Sequence, residues 1–323
     1  MKKFIKIVLC IVAGCIGMGC AALVIGFVIG KSTSSFSQNR VGYWRATIQN
    51  IRDAANGLRK GVQYWEDEQD DEDESERVST EEATTEETTM TAQDGQNILK
   101  VDADKVQVLE VDLRHGYLGV EESEDDQIYV LLDGKKADYV QASYESGRLL
   151  IQDTRQGKAA RKDIEIYLSI PEKKKFNKME LQMDAGELDM DVPLSADRIQ
   201  LNADAGVITA EELSSDELDV SVGTGEIDIS DSSFGKAALN CGVGIIDLEG
   251  SIRSDARAEC GMGTIDLDLN ENLDAYNYIL NCGMGSIEIG DSSYSALTRE
   301  KRIQNGADAT FMLNCGMGNI TIE

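Results

Sequence analysis

The side chains best suited to chemistry in this 323-residue chain fall into two series of like residues at near-regular spacing and one short cationic run. Cys241, Cys260, Cys282 and Cys315 follow one another at intervals of 19, 22 and 33 residues. Thiols ligate zinc or form disulfides, but zinc sites draw on close Cys-x-x-Cys pairs or nearby histidines. These intervals supply no such pair, and His115 is the chain's single histidine. Zinc is therefore not expected. The second series is acidic: Asp189, Asp228, Asp247, Asp266 and Glu288, with Thr209 and Thr321 at the equivalent offset. Stacked carboxylates raise one another's pKa or recruit a divalent cation. The calcium β-roll places its aspartate two residues after a glycine and repeats every nine residues, whereas here the acid stands three after and the period is about 19. A solvated acidic face is the expectation, with this ladder a weak cation candidate. The cationic run, Arg299, Lys301 and Arg302, lies in a stretch from Ser292 to Ala307 that breaks the periodicity. It is the candidate partner contact, with a simple loop excursion as the alternative.

Composition excludes several functions. The chain carries 59 acidic and 31 basic residues, a formal charge of −28, and 6% aromatics. Nucleic-acid binding needs clustered Lys and Arg against phosphates, so it is not expected. No nucleophile motif, phosphate loop or paired acid/base set appears, so neither a catalytic residue nor a cofactor is assigned.

The elements that position these residues come from an internal repeat. Seven copies recur, among them Gly223-Thr-Gly-Glu-Ile-Asp-Ile229 and Gly261-Met-Gly-Thr-Ile-Asp-Leu267, and their second glycines are Gly186, Gly206, Gly225, Gly244, Gly263, Gly285 and Gly318. The glycine intervals are 20, 19, 19, 19, 22 and 33. Apolar residues alternate on both sides, as in Leu181, Leu201, Val220 and Leu239 before the glycine and Leu188, Ile208, Ile227 and Ile246 after it. Period-two alternation means two strands joined at a glycine corner, with these columns facing inward. Constant length means stacked units. The predicted fold is all-β, a single-stranded parallel β-helix of about 19-residue rungs, with a sandwich of hairpins as the alternative. The cysteines then face inward as buried free thiols, while Asn202, Asn240, Asn281 and Asn314 form an outward amide column interrupted by Ser221 and Glu259.

The preceding residues divide by composition. Residues 1–6 carry Lys2, Lys3 and Lys6, and residues 7–30 are uncharged and mostly apolar, long enough for a transmembrane helix. Cys15 ends a lipobox-like Val-Ala-Gly-Cys, a second anchoring possibility. Residues 31–65 space Val41, Trp44, Ile48, Ile51, Ala55, Leu58, Val62 and Trp65 at alternating steps of three and four. That seam predicts a basic amphipathic juxtamembrane helix, a homodimer contact through Val41 to Trp65, or a helix lying on anionic headgroups. Residues 66–97 include 14 acids against Arg77 between Glu66 and Asp94, which predicts a disordered stalk. Residues 98–178 are expected to form a β cap and residues 179–323 the repeats. A cytoplasmic N-terminus and an extracytoplasmic C-terminal domain are expected.

An N-terminal apolar segment, a linker, a strand ending in Ile170-Pro171 and recurring Gly-x-[Ile/Leu]-x-[Ile/Leu] rungs resemble a bacterial envelope family named for adhesion, whose function is unknown. The resemblance spans about residues 98–323. It implies a membrane-anchored β-helix. The expected role is that of an adhesin or an envelope-stress or scaffold component, acting without catalysis by surface binding to an envelope polymer, a host glycan or a protein. Two other classes compete: a β-helix carbohydrate-active enzyme, and a self-assembling scaffold stacking end to end through terminal strands such as Phe311 to Ile322.

Overall fold

The computed structural model describes residues 88–89, 98–133, 139–155, 164–297 and 299–323, all within the unit 82–323. The expected membrane span, the Val41 to Trp65 seam and nearly all of the acidic stalk lie outside the described residues. Among the described residues no helix is long and apolar enough to cross a membrane.

Two columns of strands account for the domain, because each repeat alternates apolar and polar residues on either side of its glycine corner. Face A stacks, in spatial order, Arg148–Asp153, Val108–Leu113, Lys175–Met183, Leu194–Ala203, Leu213–Val222, the later half of Glu226–Cys241, Ala256–Cys260, Ala309–Cys315 and Tyr276–Cys282. Every neighbouring pair in that stack is parallel. Face B stacks Glu165–Ile170, Gly116–Glu122, Gly186–Met190, Val207–Glu211, the start of Glu226–Cys241, Ile245–Ile252, Thr264–Leu269, Asn319–Ile322 and Ser286–Ile289, again all parallel. Register follows the repeat length: Val220 pairs with Leu239 and Ile246 with Ile265.

Between the faces lies one contiguous apolar core. Leu118, Leu188, Ile208, Ile227, Ile246, Ile265, Ile320 and Ile287 form a continuous column, each at 0% exposure. Burying one such side chain contributes about 1.5–3 kcal/mol, so stacking carries the fold. At the N-terminal ends of the face A strands, the large Phe176 and Phe234 flank the small Ala196 and Ser215 across four adjacent rungs. The buried Ser215 hydroxyl donates to the Glu217 carbonyl at 2.9 Å, so its polar atom is satisfied.

Rung order departs from chain order at both ends. The strands of residues 108–122 lie inside those of 148–170, and the C-terminal strands of 309–322 lie between 256–269 and 276–289. The chain therefore leaves a one-rung slot after Leu269, builds the outer rung, and returns to fill the slot. This explains the intervals of 22 and 33. The parallel stack begins at residue 108, where Leu109, Val111 and Leu113 before Gly116 and Leu118 and Val120 after it stand at the repeat's own offsets and pair in register with Met179, Leu181, Met183, Leu188 and Met190. Two sequence expectations change. Phe311 to Ile322 is an interior rung and not a free end for stacking. The stretch from Ser292 to Ala307 is not a loop excursion: Ser292–Ser295 and Lys301–Ile303 pair antiparallel on the outer rung and cover both its edges. At the other end Gln127–Asp133 and Val140–Glu145 do the same, and Ile98–Asp102 follows. Antiparallel covers remove the parallel ladder's open edge. Thr88–Thr89, inside the expected disordered stalk, adds a two-residue strand to Val140–Glu145.

Candidate functional site

The glycine corner gathers the candidate residues, and its geometry starts with backbone contact. A Cβ on Gly225 would lie 2.1 Å from the Gly206 carbonyl oxygen, and one on Gly244 2.1 Å from that of Gly225. Close rung-to-rung approach, more than a left-handed φ, is what these positions require. In spatial order the corner column runs Gly186, Gly206, Gly225, Gly244, Gly263, Gly318, Gly285.

Immediately before the corner, Cys241, Cys260, Cys315 and Cys282 are neighbours in that order, buried and free. Each thiol donates to the carbonyl of the glycine three residues on, at 3.0 to 3.2 Å. The closeness of the Cys241 and Cys260 thiols lowers the pKa of the first and raises that of the second. Burial, followed by its thiol neighbours, pushes Cys315 up to about 12. A thiol held protonated in a core behaves as a small apolar residue.

One residue earlier the side chains face out and line a groove of about 890 Å³. Its wall is the column Ser221, Asn240, Glu259, Asn314, Asn281, in spatial order. The Asn281 amide donates to Asn314 Oδ1 at 2.9 Å, Asn314 donates to Glu259 Oε1 at 3.3 Å, and Arg257 Nε donates to the same oxygen at 2.9 Å. This chain of donors pre-orients the wall. The opposite rim is the turn between the two antiparallel cover strands, with Leu297, Arg299 and Glu300. Leu297 is pinned by its N–H to the Cys282 carbonyl at 2.9 Å. Of the cationic run, Arg299 reaches the groove; Arg302 pairs with Glu300 at 2.6 Å, and Lys301 sits on the cover strand opposite Leu280.

The acidic ladder occupies the other face. Its spatial order is Asp189, Thr209, Asp228, Asp247, Asp266, Thr321, Glu288, so Thr321 separates Asp266 from Glu288. Burial and then Asp228 and Asp266 raise the Asp247 carboxyl above its ordinary value. Burial, then Glu187 and Asp191, pushes Asp189 up to about 7, against a hydrogen bond with Tyr117 that lowers it. Among the described residues no cluster of three or more His, Cys, Asp or Glu is arranged to hold a metal ion.

Sequence reasoning missed a buried ion pair. Arg155 and Asp153 are 1% and 0% exposed and joined at 2.6 Å, and the guanidinium also donates to the His115 carbonyl. Burial alone would raise the Asp153 carboxyl, but hydrogen bonds and charge from Arg155 hold it below its usual range. Of the groove rim it named Arg299 but not Leu297 or Glu300, since a turn that folds back over a rung leaves no periodic signal.

Fold and groove together define a capped parallel β-solenoid that presents ordered polar side chains from a rigid frame. Residues 72–298 match the family described as Toastrack DUF4097, and the chain belongs to that adhesin-like family of unknown function. Among solved structures it is similar to a "putative adhesin" from Bacteroides fragilis, at 14% identity over 72% of this chain and 98% of that one, with a TM-score of 0.39. A "putative cell adhesion protein" from Clostridium sporogenes is 12% identical, covering 70% and 97%, with a TM-score of 0.32. A "putative lipid binding protein" from Parabacteroides distasonis is 14% identical, covering 71% and 98%, with a TM-score of 0.36. No curated protein matches.

Proposed function

We propose that this chain is a membrane-anchored cell-envelope protein whose solenoid binds an extended, hydroxyl-rich polymer, an envelope polysaccharide or host glycan, without catalysis. The observation that carries this reading is the wall of Asn240, Glu259, Asn314 and Asn281 opposite Arg299 and Glu300. Amide and carboxylate groups repeat there at the rung spacing of about 4.8 Å, close to the length of a sugar residue. Preorganised donors and acceptors lose little entropy on binding. Residues 7–30 serve as the single-pass anchor and residues 66–97 hold the domain away from the membrane, with the solenoid outside the cell.

Two measurements test the reading. Protease shaving of intact cells should remove the 98–323 domain while a cytosolic control survives; protection until lysis would overturn the location. Purified full chain should bind cell-wall polysaccharide or a glycan array, and Asn240→Ala with Asn281→Ala should weaken binding about tenfold or more without changing Tm, each lost hydrogen bond being worth about 0.5–1.5 kcal/mol. Unchanged binding in that variant would overturn the groove's role.

A further inference from the structure

The position just before each corner glycine points out of the domain. In spatial order from Gly186 to Gly285 it holds Ala185, Ala205, Thr224, Val243, Met262, Met317 and Met284. The three methionines come from separate parts of the chain and become neighbours only because the C-terminal rung fills the slot between the other two. Their backbones are locked in register, with Met317 N–H on the Gly261 carbonyl and Met284 N–H on the Gly316 carbonyl, both at 2.8 Å. Each lies between two glycines, so no neighbouring side chain in its own strand covers it. They are 56%, 53% and 80% exposed.

We propose that Met262, Met317 and Met284 form a thioether site for a soft monovalent cation, Cu+ or Ag+. Thioether sulfur is a soft neutral donor, which selects Cu+ over hard cations such as Ca2+ or Mg2+. Adjacent rungs stand about 4.8 Å apart, and an unbranched side chain with three rotatable bonds lets the outer two sulfurs lean toward an ion above Met317. The adjoining face B carries no lysine or arginine in its parallel strands, and its carboxylates raise the local cation concentration. The cysteine thiols beneath are buried and donate inward to corner carbonyls, leaving the outer sulfurs as the accessible donors. Binding forms sulfur-to-metal coordination bonds alone; nothing is oxidised and no proton is displaced.

The test uses full chain with Cys10, Cys15 and Cys20 changed to serine, so that no N-terminal thiol competes for the ion, and with 13C-labelled methionine methyl groups, titrated with silver nitrate in chloride-free buffer. Three of the ten methionine methyl signals should shift together and saturate at one equivalent. M262L/M284L/M317L keeps the apolar volume and should weaken tight binding by at least about tenfold. A second variant with all four corner cysteines changed to alanine should bind like the parent. Silver bound equally by the leucine variant, lost from the alanine variant, or shifting methyls elsewhere would overturn the site.

Discussion

The two faces of the solenoid share one core and one period but treat charge in opposite ways. Face A carries Arg148, Lys175, Lys178, Arg198, Lys236 and Arg257 among its acids, and five of these six cations make ion pairs. The parallel strands of face B hold 13 acids and no lysine or arginine, and among the described residues no ion pair relieves Asp228, Asp247 or Asp266. Inward residues are dictated by packing and must match on both faces; outward residues are free to diverge. Face A is compensated within the protein and carries the polar groove at its corner end, whereas face B keeps a field that repels polyanions and attracts cations.

Breaking the corner should erase the comparison altogether. Gly244→Val places side-chain atoms into the backbone of the rung below, and a loss of more than about 4 kcal/mol is expected in denaturant unfolding, with both faces lost in one transition. Arg155→Met strands the buried Asp153 carboxylate and should cost about 3–5 kcal/mol. Because the Asp153 pKa is depressed, this stabilisation is present above the ordinary carboxylate pKa and disappears as pH falls through the depressed value. Asp189 behaves oppositely. Its pKa of about 7 in the folded state exceeds the unfolded value, so its stabilising protonation is complete below about pH 4 and lost as pH rises through 7. Asp189→Asn should therefore stabilise the domain at pH 8, by on the order of 1–2 kcal/mol, with no charge-dependent gain at pH 4; thermal melts at the two pH values check the sign. The smallest effects sharpen the contrast between faces. Asp247→Asn on face B should stabilise, and Glu217→Gln on face A should destabilise, each by less than about 1 kcal/mol, with both differences shrinking in 0.5 M salt.

The inward columns were legible in the sequence because a pleated strand enforces period two and a rung of constant length keeps like residues stacked. Ile208, Ile227, Ile246 and Ile265 pair as their spacing requires. Spatial order at the ends was not legible, since a chain that skips a rung and returns looks like one with longer loops. Read in chain order, Cys282 follows Cys260 and Glu288 follows Asp266; in the fold Cys315 and Thr321 come between them. The candidate site was half legible: the Asn column is periodic, but its opposite rim depends on the turn at Arg299. The three Gly-Met-Gly corners were a readable signal whose consequence needs the rung order. Asp153 and Arg155 gave no signal, because a pair two residues apart at a strand end is ordinarily solvated.

The most direct test of the central claim, that binding belongs to the compensated groove and not to the acidic face, is the salt dependence of cell-wall polysaccharide binding by the full chain. The account predicts nearly equal affinity at 50 and 500 mM NaCl and no change in D228N/D247N/D266N. A steep loss of affinity with salt, abolished by those three substitutions, would move the binding surface to face B and contradict it.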